Sequence, residues 1–70
     1  MEKEKFKKLK VGDIGFEIRV LNIFYKHGIN IGKDLLNYKM SELREFKGFG
    51  LACEKDVEFV LQEYEQSLQF

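Results

Sequence analysis

Seventy residues allow one domain at most, and the charge balance is even: twelve basic and twelve acidic side chains, net zero at neutral pH. A hydrophobic fraction of 44% with ten aromatic residues, seven Phe and three Tyr, excludes a disordered tail and supplies a small core. Zero net charge counts against indiscriminate binding to polyanions, and no apolar stretch approaches the ~20 residues of a membrane span.

Residues 1–12 read as a basic N-terminal arm. Five Lys against two Glu give residues 1–10 a balance of +3. Phe6 and Leu9 could anchor this arm or begin a short helix, but a solvated, frayed terminus is the simpler expectation. No apolar core follows it, so no secretory signal is visible, and a cytoplasmic location is expected. A single helical domain is expected over residues 13–70.

Asp13-Ile14-Gly15-Phe16 reads as an irregular lead-in to a helix predicted over residues 17–27. Ile14, Ile18, Leu21 and Tyr25 recur at helical spacing and are predicted to face the core, with Ile23 and Phe24 widening that face. Arg19, Asn22 and Lys26 form a polar stripe at i, i+3 and i+7. Glu17 suits the positive end of the helix dipole, and Gly28 is expected as a left-handed cap. After the linker Ile29-Asn30-Ile31, a brief helix is predicted over 32–38 with Leu35 and Leu36 inward. Ser41 is the expected N-cap of a further helix over 42–46. Gly48 and Gly50 form a hairpin in which positive φ or close backbone approach requires glycine. The last helix is predicted over 51–67, with Cys53, Val57, Val60, Leu61, Tyr64 and Leu68 as its buried stripe and Glu54, Glu58, Glu63 and Glu65 outward. Residues 54–70 carry five acidic groups against Lys55, a balance of −4, so an anionic partner should meet the first two thirds of the sequence. There is no proline, repeat or low-complexity tract. The expected fold is all-α, a compact bundle of four to five short helices.

Catalytic chemistry finds little to work with. His27 stands alone, Cys53 is the single cysteine, and no nucleophile, base and orienting group share a face. One His and one Cys do not make a metal site, so a non-enzymatic protein without metal or cofactor is expected. Cys53 also rules out an internal disulfide.

The hairpin carries more information. The helix-hairpin-helix pattern, apolar-x-x-apolar-x-Gly-apolar-Gly-x-x-x-small-x-x-apolar, is met by Leu43, Phe46, Gly48, Phe49, Gly50 and Val57, with Glu54 in the small-residue slot. From Asp13 to about Leu61 the sequence resembles the C-terminal domain of the bacterial RNA polymerase alpha subunit. The first motif of that family, D-L-x-L-[ST]-V-R-[ST]-x-N-x-L, runs alongside Asp13-Ile14-Gly15-Phe16-Glu17-Ile18-Arg19-Val20-Leu21-Asn22-Ile23-Phe24. Ile29, Asp34-Leu35, Glu42-Leu43 and Phe49-Gly50 follow in the family's register without a gap. The resemblance implies a helix-hairpin-helix fold, a surface for the minor groove of A+T-rich DNA, and contacts with transcription proteins. Transferred to these positions, it makes Arg19 the groove-reading arginine, Asn22 its phosphate-binding partner and Gly50 the hairpin amide donor.

Lys26, Lys47, Gly48 and Cys53 complete the candidate DNA contacts. Each has an alternative: Arg19 could pair at the surface with Glu17 or Asp13, Asn22 could bridge loops, Lys47 could face solvent, and Cys53 could be a buried thiol beside Val57. Lys33 and Lys55 are weaker candidates of the same kind. Ala52-Cys53 stands where the family has Lys-Ser, which removes an ammonium and a hydroxyl from the phosphate side, and Glu17 replaces a hydroxyl residue. Two readings follow, a DNA-binding module and a protein-docking module for a transcription protein or polymerase. Starting at its own Met with a short arm, the protein is expected to be a free-standing relative, with a monomer as the default state.

Overall fold

Apolar residues three and four apart along residues 2–69, the part of the protein described by the computed structural model, close into six helices. They are α1 (Glu2–Lys8), α2 (Val11–Ile14), α3 (Ile18–Lys26), α4 (Gly32–Leu36), α5 (Met40–Arg44) and α6 (Leu51–Glu63). The only extended pairing among the described residues is an isolated antiparallel bridge between Lys10 and Ile31. The core is wholly apolar there, with no polar or charged side chain fully buried.

The expectation of a solvated, frayed arm is corrected. Residues 2–8 are helical, and Phe6 is completely buried with its ring 5.4 Å from that of Tyr64. The backbone ties this segment to the middle of the sequence. The Gly32 N–H donates to the Leu9 carbonyl (2.9 Å) and the Val11 N–H to the Asn30 carbonyl (2.9 Å). Gly32 is itself buried, and a Cβ there would collide with the Phe6 carbonyl. Burying a Phe side chain stabilises by roughly 1.5–3 kcal/mol, which outweighs helix fraying in a short basic segment.

The buried face of α3 also differs from the predicted one. Ile18 is 76% exposed and Tyr25 is exposed, while Val20, Ile23 and Phe24 are buried and Leu21 is half-buried. The helix carries apolar residues on nearly every side, so spacing alone allows two faces. Packing selects between them. Phe24 meets Phe16 edge-on at 5.3 Å and 87°, and Ile23 lies against Gly48.

Helix ends follow local hydrogen bonding. Gly28 takes φ +74°, its N–H donates to the Tyr25 carbonyl, and the Ile29 N–H donates to the Phe24 carbonyl (2.9 Å), closing α3 with a left-handed cap. The Asp34 carboxylate accepts the Asn30 and Ile31 N–H groups ahead of α4. Glu42 does the same for the Lys39 N–H (2.7 Å), so α5 starts at Met40 with Lys39 rather than Ser41 in the cap position. The last helix stops at Glu63, short of the predicted 67, because Glu65 at φ +58° reverses the backbone. The Met40 N–H then donates to the Gln69 carbonyl (2.6 Å) and Leu68 returns to the core. An unbroken helix would carry Leu68 beyond its cover.

Phe6→Ala should cost about 3–5 kcal/mol in urea unfolding, a large part of the stability of so small a domain. A solvated arm would lose no more than about 0.5 kcal/mol.

Candidate nucleic-acid interface

The hairpin between α5 and α6 turns on Gly48, whose φ of +85° is a conformation L side chains rarely adopt. Gly50 differs: its backbone is extended (φ −99°, ψ −169°), and a Cβ built there would meet open space. The fold therefore requires glycine at 48 but not at 50. Phe49, between them, is buried, and Phe46 is half-buried under the ring of His27, with centroids 3.6 Å apart and planes 6° from parallel.

Three contacts set α3 against this hairpin. The Glu17 N–H donates to the Asp56 carboxylate (3.1 Å), Ile23 lies beside Gly48, and His27 stacks on Phe46. As the numbers rise along α3 they fall along the hairpin and α6, so the two run antiparallel. In sequence Arg19 and Asn22 fall between two of these contact points, Glu17 at Asp56 and Ile23 at Gly48. Arg19, Asn22, Lys26, Lys47, Gly48 and Gly50 are all exposed. Cys53 is the exception: it is 3% exposed and its thiol points to the Gly48 carbonyl (3.8 Å), which takes that side chain out of the surface. The Glu54 N–H donates to the Gly50 carbonyl (3.0 Å), so the amides of Leu51, Ala52 and Cys53 precede the first bond of the helical ladder.

The electrostatics are mixed. Arg19 lies 3.5 Å from the Glu17 carboxylate, with both side chains more than half exposed. A pair of this kind contributes about 0–1 kcal/mol and leaves the guanidinium accessible. Ile18, beside Arg19 in sequence, and Leu51, the first residue of α6, are exposed apolar side chains, at 76% and 67%.

One pair was not legible in the motif. Glu54, read as outward-facing and as a misfit in the small-residue slot, is clamped by Arg44. The Arg44 Nε donates to Glu54 Oε1 (2.8 Å) and Nη2 to Oε2 (2.9 Å). This bidentate pair joins the last turn of α5 to the first turn of α6 and braces the hairpin between them. Hydrogen bonds from the guanidinium hold the Glu54 carboxyl below the usual carboxylate range, and the same bonds raise Arg44. The available signal was position: a cation at one helix C-terminus and an anion at the next N-terminus, each favoured by its helix dipole.

Among the described residues no group of three or more His, Cys, Asp or Glu is assembled to hold a metal ion, and no helix is long and apolar enough to cross a membrane.

Because the Glu54 carboxyl is depressed in the folded state, its contribution to stability is complete above the ordinary Glu value of ~4.3 and is lost as pH falls through the lowered native value. The difference in urea midpoint between the unsubstituted protein and Glu54→Gln should be largest at neutral pH and shrink on acidification below about pH 4. A difference that does not change with pH would exclude the clamp as its source.

A family model for the C-terminal domain of the bacterial RNA polymerase alpha chain matches residues 1–63, so α1 and α2 lie inside the matched region. No curated protein matches the sequence.

Proposed function

The protein belongs to the family of C-terminal domains of the bacterial RNA polymerase alpha chain, an all-α, DNA-binding family of transcription, and on that premise we propose that it contacts A+T-rich duplex DNA through the exposed face of α3 and the hairpin ahead of α6. Arg19 enters the minor groove, where a narrow A+T-rich groove concentrates negative potential on a guanidinium. Asn22 and the Gly50 amide hold flanking phosphates, and Lys26 and Lys47 add charge at the hairpin end. The protein acts as a binding module without catalysis.

The observation that supports this reading is the antiparallel register of α3 on the hairpin and α6, with Glu17 at Asp56, Ile23 at Gly48 and His27 at Phe46. The open space beyond Gly50 supports it independently, because a phosphate approaching that amide would occupy the volume a Cβ would fill. Leu51 and Ala52 offer no ammonium there, so few phosphates are neutralised. Two lysines release about two counterions, a slope of log K against log salt near −2.

The test is a titration of the 70-residue protein with A+T-rich duplex at two salt concentrations, read by backbone amide shifts. Residues of α3 and 47–53 should move. Arg19→Ala should weaken binding by roughly tenfold or more, on the scale of 1–3 kcal/mol for one base-reading contact. Gly50→Ala should weaken binding to a similar extent, about 1.4 kcal/mol, with an unchanged melting temperature. No shift at low salt would remove the DNA reading.

The exposure of Ile18 and Leu51 favours a second reading, in which the same face docks a transcription protein. Ile18→Ser and Leu51→Ser should then abolish binding to that protein, whereas DNA affinity on the first reading should be nearly insensitive to them.

A further inference from the structure

The outer face of α6 has no role in the surface above. Its residues at four-residue spacing, Lys55, Phe59 and Glu63, are all exposed or partly so, and Phe59 exposes 64% of its surface. A phenylalanine this open on a rigid helix of thirteen residues is unusual in a protein whose other six Phe residues include four buried in the core. The flanking charges are placed symmetrically. Lys55 is four residues before Phe59 and Glu63 four residues after it, each about 6 Å along the helix axis at 1.5 Å per residue. Among the described residues neither Lys55 nor Glu63 is held in an ion pair.

We infer that this row is a self-complementary docking face for a second copy of the protein, formed by two antiparallel α6 helices crossing at Phe59. A two-fold axis through that crossing sets Phe59 against the partner's Phe59. It brings Lys55 opposite the partner's Glu63, and Glu63 opposite the partner's Lys55. The row is the ridge of residues spaced four apart, and the commonest helix-packing class lays such ridges parallel to each other. An isologous contact needs one patch that complements itself, and a cation and an anion equidistant from an apolar centre meet that condition. A basic partner would be met by Glu63 but repelled by Lys55, and an acidic partner the reverse. The −4 balance of residues 54–70 in each copy is offset over the whole protein, whose net charge is zero.

The contact is small beside the ~1,600 Å² of a standard interface, so the dimer is weak and concentration-dependent. Sedimentation equilibrium of the 70-residue protein from about 20 μM to about 2 mM spans the range in which such a contact dissociates. The unsubstituted protein should pass from monomer to dimer. Phe59→Asp should remain monomeric, and Lys55→Glu and Glu63→Lys should each weaken association at least about tenfold, the equivalent of 1.4 kcal/mol. Mixing Lys55→Glu with Glu63→Lys in equal amounts should restore dimers, because each variant then offers what the other lacks at both positions. All three side chains lie on the solvent side of α6, so each variant should keep the melting temperature of the parent. A monomer at the highest concentration, a Phe59→Asp variant that still dimerises, or a mixture that stays monomeric would each overturn the inference.

Discussion

The positive φ at Gly48 is the constraint on which the rest of the molecule turns. It reverses the backbone within the few residues between α5 and α6, delivers Phe49 and Cys53 to the core, and leaves Ile23 resting on the turn itself. Any L side chain there is strained, so the reversal, the seating of α3 and the antiparallel register are kept or lost together. The Arg44–Glu54 clamp spans the same reversal from the outside. The hairpin is thus held by a backbone requirement at its tip and a charge-assisted pair across its base.

Charge is spent locally in this protein. The clamp at the hairpin base and the looser Arg19–Glu17 contact sit near the start of α6 and α3. They differ in kind. Arg44 grips a largely covered carboxylate through two bonds, whereas Arg19 touches an exposed one at 3.5 Å. The first arginine is part of the scaffold, and the second stays largely exposed.

Where a feature depended on neighbours in sequence, it could be read in advance. The cap at Gly28 needs only a helix end and a glycine, and the inward row Cys53, Val57, Val60 and Leu61 is the only continuous apolar face of α6. The hairpin glycines likewise announce a turn, although only Gly48 is required by backbone geometry. What depended on distant partners was not legible. α3 is apolar almost all round, so choosing Val20, Ile23 and Phe24 over Ile18 and Tyr25 requires knowing that Phe16 and Gly48 lie on one side. Phe6 looks like a stray aromatic in a lysine-rich tail until Gly32 and Tyr64 are known to cover it. Glu54 looks solvated until α5 brings Arg44 beside it. Arg19 and Asn22 can be picked out by motif, but the antiparallel register of the helix that carries them follows from three contacts far apart in sequence.

The meeting of Phe6 with Tyr64 bears on the order in which the protein can be assembled. The opening helix leaves the ribosome well before the glycine that receives it, and the tyrosine that roofs it is made later still. During synthesis that aromatic ring must wait uncovered. Its cover is complete only once residues from both the middle and the end of the sequence are in place, so burial of the opening helix depends on segments far from it in the sequence.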